Sequence, residues 1–309
     1  MKNKILFGDC RDTLPTIDVK ARMCVTSPPY YGLRNYGGED NQIGQEDTPE
    51  QFIDNLVSVF RSVRDVLTDD GTLWVNIGDS YYNYRPGKGQ ALVKQSVSKT
   101  KQDLPDTCAR RGNKLEGLKE KDMIGIPWML AFALRADGWY LRQDIIWHKP
   151  NPMPESVRDR CTKSHEHIFL LSKNKKYYYD NEAIKEPVKQ DWGTRNRDAG
   201  KYHNPGTGLQ PHSGLTKSYE RKNKRDVWTI TNKPYKGAHF AVFPPDLIEP
   251  CILAGSERGD IILDPFMGSG TTGMVAKKHG RNYIGCELHE DYASLQTDRI
   301  DSIPSQLVL

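Results

Sequence analysis

Short apolar runs alternate with stretches of helical spacing along most of the chain. Lys4 to Phe7 and Arg22 to Thr26 are brief apolar runs of the kind that form buried strands. Thr48, followed by Pro49 and Gln51, marks a helix start, because a hydroxyl caps free N–H groups and proline suits the first helical turn. From there Phe52, Leu56, Val59, Phe60, Val63, Val66 and Leu67 recur at helical spacing until Asp69-Asp70-Gly71 stops them. The pattern then predicts a strand over Thr72 to Ile77 and a helix near Ile126 to Arg135. After a break at Gly138 it predicts strands near Tyr140 to Trp147 and Ile168 to Ser172. It resumes with a helix near Pro245 to Leu253, a strand from Ile261 to Asp264 and a Gly-rich turn. A helix from Thr271 to about His279 and a strand from Tyr283 to Glu287 follow. Such alternation predicts an α/β fold, a mostly parallel sheet with helices on both faces.

Composition bounds this picture. At 309 residues the chain suffices for one large α/β domain with an insertion, or for two modest domains. A hydrophobic share of 37% with a charged share of 27% describes a polar chain with enough apolar mass for a core. Asp9 follows Ile5-Leu6-Phe7 closely, and no apolar run approaches the roughly 18 residues of a membrane span. The expectation is a cytoplasmic protein without a membrane partner. Cys10, Cys24, Cys108, Cys161, Cys251 and Cys286 form no C-x-x-C pair, which argues for free thiols over a zinc site or a disulfide framework.

Charge is unevenly spread. The net charge is only +4, yet the segments 83–122 and 181–236 carry +5 and +6, leaving −7 on the remainder. Both segments are rich in Gly, Asn, Ser and Pro and lack long apolar periodicity, so they read as loops or a small added lobe. Solvated surface insertions would have this composition. An electrostatic footprint for a phosphate backbone would have it too. In the second segment Trp192, Tyr202, Tyr219 and Trp228 are interleaved with twelve Lys/Arg, as base contact requires.

Two loops at predicted strand ends carry the chemistry. The first runs from Asp264 through Pro265-Phe266-Met267-Gly268-Ser269-Gly270 to Thr271-Thr272, between a strand and a helix. Glycine is needed where backbone approaches a ligand, and the N–H groups of a helix start favour an anionic group. Glu287 closes the next strand, where a carboxylate can accept both hydrogen bonds of a ribose diol. A nucleoside-bearing cofactor is implied. The second loop is Ser27-Pro28-Pro29-Tyr30, in which two prolines fix the backbone and remove two N–H donors. The Ser27 side chain and the Pro28 carbonyl would then be acceptors for the two N–H groups of a planar amine, freeing its lone pair. Tyr30 can stack on a base drawn out of a duplex.

Ser-Pro-Pro-Tyr near the amino end and Asp-Pro-Phe-x-Gly-Ser-Gly-Thr-Thr near the carboxyl end resemble the beta-class amino DNA methyltransferases. Further matches are Gly8-Asp9-Cys10, Asp70-Gly71-Thr72-Leu73-Trp74, Ser164-His165-Glu166-His167-Ile168-Phe169 and Ala238-His239-Phe240-Ala241-Val242-Phe243-Pro244. The resemblance implies a Rossmann-like methyltransferase sheet with circularly permuted motif order, the catalytic loop preceding the cofactor loop. It implies a catalytic and cofactor-binding domain over 1–180 and 237–309, with a basic insertion at 83–122, and a target-recognition region at 181–236. Carried over by position, Ser27, Pro28, Pro29 and Tyr30 would be catalytic. Asp264, Phe266, Gly268, Gly270, Thr271 and Glu287 would hold S-adenosylmethionine, with Asp9, Phe243 and Pro244 lining the same pocket. Double-stranded DNA would be the partner, while a companion restriction endonuclease and a homodimer are left open. Attack by the amine would be direct, without a nucleophilic cysteine or a metal.

Ser in place of Asp at the first position of the tetrapeptide resembles members acting on cytosine N4 more than those acting on adenine N6. A hydroxyl and a carboxylate both accept from an amine, so adenine stays open. Methylation of RNA or a protein glutamine would use the same Pro-Pro-Tyr chemistry. A nicotinamide oxidoreductase would use the Gly-rich loop and Glu287 but leave Ser27-Pro28-Pro29-Tyr30 without purpose.

Overall fold

The computed structural model describes residues 2–32, 42–82, 115, 117–188, 220–232 and 243–304. Among these, eight strands form one sheet. Its order is β1 (Lys4–Phe7), β10 (Asn282–Glu287), β9 (Ile261–Asp264), β2 (Ala21–Thr26), β3 (Leu67–Ile77), β5 (His165–Ser172), β4 (Tyr140–His148) and β8 (Val227–Thr229). Only β5 runs antiparallel to its neighbours β3 and β4; the other pairs are parallel. The carboxyl-terminal strands β9 and β10 thus lie between β1 and β2.

Both faces of the sheet are covered, and side-chain alternation shows it. Cys24, Leu73, Val75, Phe169, Leu171 and Leu263 point to a core shared with α2 (Pro49–Val66) and α3 (Ile126–Ala136). Their chain neighbours Met23, Val25, Trp74, Ile168, Leu170 and Ile262 point the other way, to α4 (Pro245–Gly255) and α5 (Thr271–Lys278). This is the period-two rule of a strand, with both sides buried. The start of α2 is as predicted: Thr48 accepts from the Gln51 N–H at 3.2 Å, with Pro49 at the first turn.

Several elements depart from the sequence pattern. Asp69-Asp70-Gly71 does not separate a helix from a strand, because β3 begins at Leu67 and bulges instead. Ala21 pairs with Leu67 and Met23 with Thr72, so four residues of β3 loop out opposite Arg22. Arg22 holds that bulge through Asp70, and a side chain at Gly71 would lie 2.9 Å from the Leu67 Cβ. Strand β5 starts at His165, where polar side chains hide the strand signal as it reaches the cavity described below. Helix α6 (Ala293–Asp301), with α1 (Cys10–Thr13) and the paired β6 (Glu186–Pro187) and β7 (Arg221–Lys222), is too short or too weakly periodic to be read.

Within 181–236, the described residues lie against the sheet edge: Trp228 of β8 is buried, and Ile146 of β4 pairs with Val227. Trp192, Tyr202, Tyr219, Arg195, Asn196, Arg197 and Gln210 lie outside the described residues, as do most of 83–122 and the segment 238–242. Among the described residues no helix is long and apolar enough to cross a membrane.

Candidate active site

Loops at one edge of the sheet converge, since β1, β2, β3, β9 and β10 run parallel and end on the same side. They enclose a cavity of about 570 Å³. At one end it is lined by Ser27, Pro28, Pro29 and Tyr30, which follow β2. At the other it is lined by Asp9, Phe243, Phe266, Gly268, Thr271 and Glu287. The two sequence motifs, more than two hundred residues apart, therefore share one space.

The Gly-rich end is built from backbone and buried carboxylates. Glu287, 8% exposed at the end of β10, accepts from the Gly268 N–H at 2.7 Å and from the His289 N–H at 3.1 Å. Burial pushes its carboxyl up to about 7, against the pull of these amides. An ionised carboxylate has about four acceptor positions, more than these amides fill, so it can accept from a further donor. His289 Nε2 is buried beside it with no partner among the described residues, and His289 lines the cavity. These open hydrogen-bonding positions fit the diol and heterocycle of an adenosyl group.

Asp264, Gly270 and Pro244 do not line the cavity. Asp264 is 1% exposed and turned inward, accepting from Thr26 Oγ1 and Thr272 Oγ1 at 2.6 Å each and from the Phe266 N–H at 3.0 Å. Burial raises it to about 6 even so. It ties the end of β2, the turn and the first helical turn of α5 together. Gly270 caps α5 at φ 81°, and a Cβ there would press on the Gln296 Cα at 3.3 Å. Pro244 is the buried cap of α4. Asp9 reaches the cavity wall while capping α1 and pairing with Arg11 at 2.5 Å. Burial pushes its carboxyl up, but the Arg11 contacts outweigh this and hold it below the usual range.

Helix α6 braces the same turn from behind. Gln296 Nε2 donates to the Gly268 carbonyl at 2.7 Å, and Arg299 donates to Ser269. At Gly285 a Cβ would lie 2.7 Å from Met267 Cγ, so glycine lets the turn lie flat on β10.

The other end is built from charged and polar side chains. The Tyr30 hydroxyl donates to Glu166 Oε2 at 2.7 Å, and Lys149 Nζ donates to Oε1 of the same carboxylate. Asn76 Nδ2 donates to Glu166 at 3.2 Å and to the His167 carbonyl at 3.1 Å. Lys163 donates to the Asp79 carbonyl at 2.7 Å, and burial holds its ammonium below the ordinary lysine value. Asp79 in turn accepts from the Gly125 and Ile126 N–H groups at the start of α3. None of Asn76, Lys149, Lys163 and Glu166 was singled out for chemistry by sequence. The available signal was a polar residue interrupting an apolar strand: Asn76 within Leu73–Ile77, and Glu166 ahead of Ile168. Cys10 and Cys286 also line the cavity, but burial pushes both thiols up, away from the thiolate form a nucleophile needs.

The DNA methylase family matches residues 21–298 of the chain. The type II methyltransferase M.SmaI of Serratia marcescens is 49% identical over 96% of this chain and 90% of its own length. M.Cfr9I of Citrobacter freundii is 47% identical over 97% of this chain and 88% of its own. Among solved structures, PvuII DNA methyltransferase (cytosine-N4-specific) has the same fold at a TM-score of 0.62 and 17% identity, covering 97% of this chain and 86% of its own. A DNA modification methylase from Thermus thermophilus, complexed with S-adenosylmethionine, has a TM-score of 0.59 at 23% identity, covering 98% and 95%. The Ser-Pro-Pro-Tyr and Gly-rich loops thus stand within a match spanning nearly the whole chain: it belongs to the DNA methylase family, the S-adenosylmethionine-dependent methyltransferases of amino groups in DNA.

Proposed function

We propose that this chain transfers a methyl group from S-adenosylmethionine to the N4 amino group of a cytosine at a specific site in double-stranded DNA. The observation that carries the reading is the shared cavity, with Ser27, Pro28, Pro29 and Tyr30 at one end and Gly268, Thr271 and Glu287 at the other. When bound, S-adenosylmethionine supplies an electrophilic methyl group on a sulfonium. Glu287 holds the ribose diol, while Phe266, Phe243 and Thr271 line the space around the adenosyl group. An exocyclic amine is a weak nucleophile, because its lone pair is delocalised into the ring. The Ser27 hydroxyl and the Pro28 carbonyl accept its two N–H groups, which favours a pyramidal nitrogen and matches the positive charge that develops there. Pro29 stiffens the turn, and Tyr30 stacks on the base once it has left the duplex. Catalysis rests on holding amine and methyl donor in one space and on the acceptors that match the developing charge.

Serine at position 27 supports cytosine, as does the likeness in fold to an enzyme whose name gives it as cytosine-N4-specific. Adenine N6 is the second reading, since either base offers an amine to the same acceptors; RNA and protein glutamine stand behind both. The basic segment 181–236 serves as the target-recognition region. The test is transfer of labelled methyl to duplex DNA, RNA and protein, followed by chromatography of the hydrolysed nucleosides. N4-methyldeoxycytidine is expected. N6-methyldeoxyadenosine would overturn the choice of base, and label in RNA or protein alone would overturn DNA as substrate.

A further inference from the structure

Tyr30 and Glu166 lie 136 residues apart in sequence and meet at the base end of the cavity. The Tyr30 hydroxyl donates to Glu166 Oε2 at 2.7 Å, and glycine at position 78 leaves room for the ring edge, since a Cβ there would lie 2.8 Å from Cε2. Glu166 is itself held: Asn76 donates to the same oxygen at 3.2 Å, and Lys149 donates to the other. Lys149 lies 4.1 Å from the centre of the Trp147 ring, so its ammonium is seated between an aromatic face and the carboxylate. The Lys149 and Glu166 side chains are only 16% and 14% exposed, which limits screening by solvent.

We propose that Glu166 is a positioning residue for methyl transfer: fixed by Lys149 and Asn76, it holds the Tyr30 ring in place before the base arrives. Drawing a base from the stack has an unstacking cost that contact inside the enzyme must offset. A ring already fixed in orientation loses less freedom on forming that contact than one free to turn about its side-chain torsions. The inference rests on the reading of Tyr30 as the residue that stacks on the extruded base.

The test compares Tyr30→Phe, Glu166→Gln, their double variant and Tyr30→Ala, each as the full chain. Three quantities are measured: kcat, cofactor affinity by calorimetry, and the signal of a fluorescent base analogue at the target position. Tyr30→Phe removes only the hydroxyl, and Glu166→Gln keeps the shape and an acceptor; Tm is also measured for each variant to separate loss of fold from loss of position. Each single variant is expected to lower kcat about tenfold, the size of a lost hydrogen bond to a charged group, with a weaker extrusion signal. Cofactor affinity should stay within about twofold, and the double variant should be little worse than either single, as for two residues acting as one unit. Wild-type kcat and extrusion signal in Tyr30→Phe, alongside an impaired Tyr30→Ala, would overturn the inference while keeping Tyr30 as the stacking residue. Losses that multiply in the double variant and track a falling Tm would overturn it in favour of a purely structural role. A fully active Tyr30→Ala would overturn the reading of Tyr30 and the inference with it.

Discussion

The Gly-rich end of the cavity is lined by backbone and the buried Glu287 carboxylate, whereas the Ser-Pro-Pro-Tyr end is lined by side chains of opposite charge beneath an open rim. At the first, Asp264 is 1% exposed, Glu287 is bound by two backbone amides, and α6 braces the turn. At the second, Lys149, Glu166 and Lys163 share the wall with Met153, which is 81% exposed. A small ligand of constant shape suits a site formed in advance with few moving parts. DNA must be admitted and released, which suits a rim of exposed and charged groups on longer side chains. The contrast predicts that substitutions at the two ends separate cleanly into effects on turnover, on folding and on cofactor affinity.

The largest effect should come from the base end. Ser27→Ala is expected to cut kcat by about 10² to 10³, the loss of one acceptor matched to developing charge, with cofactor affinity within a few-fold. Turnover near wild type would remove Ser27 from the chemistry. Next comes Asp264→Ala, which leaves two hydroxyls and an amide at the sheet end without their acceptor. It should lower unfolding stability by about 2 to 3 kcal/mol, read from denaturant midpoints, and impair cofactor binding only through that loss. A stable Asp264→Ala protein with a selective binding defect would mean that this carboxylate touches the cofactor after all.

Glu287 gives a subtler signature. Glu287→Ala should weaken cofactor binding by about 1 to 3 kcal/mol, as measured by calorimetry. Because burial raises this carboxyl to about 7, it takes up a proton as pH falls through neutrality and, on the proposed reading, would lose the charge that strengthens its bonds to a ribose. Affinity should therefore fall below about pH 7, by at most tenfold per unit, and Glu287→Gln should flatten that dependence. A pH profile unchanged by the substitution would assign it to another group. The smallest effect is expected in the basic segment. Arg221 donates to the Lys185 carbonyl and Lys224 pairs with Glu186 over the Trp228 ring, while Arg225 is exposed. Arg225→Gln should reduce the salt slope of DNA binding by about one unit, and Lys224→Gln by less, with cofactor affinity unchanged. Equal slopes in both variants and the parent would place the phosphate contacts elsewhere.

Some of this molecule is legible in local pattern. Two-residue alternation on β2, β3, β5 and β9, helical spacing on α2, and Gly and Pro at the loops are properties of a few adjacent residues, and they mark out the α/β alternation. The two motif loops are legible for the same reason, since each is one contiguous segment following a strand. Strand order is different. That β9 and β10 pair between β1 and β2 depends on which distant edges close on one another, and no short window of sequence contains that information. Side-chain direction at the site is likewise a tertiary matter. Asp264 and Glu287 each close a strand beside the glycines, yet Thr26 and Thr272 draw the first inward while the second faces the cavity. Glu166, Lys149 and Asn76 come from three separate stretches of chain and meet only because β3, β5 and β4 are neighbours in the sheet. Sequence determined the kind of fold and the two chemistries, because both are written in contiguous residues. The pairing of those chemistries in one cavity, and the network behind Tyr30, were decided by strand closure, which brings together groups that no local periodicity relates.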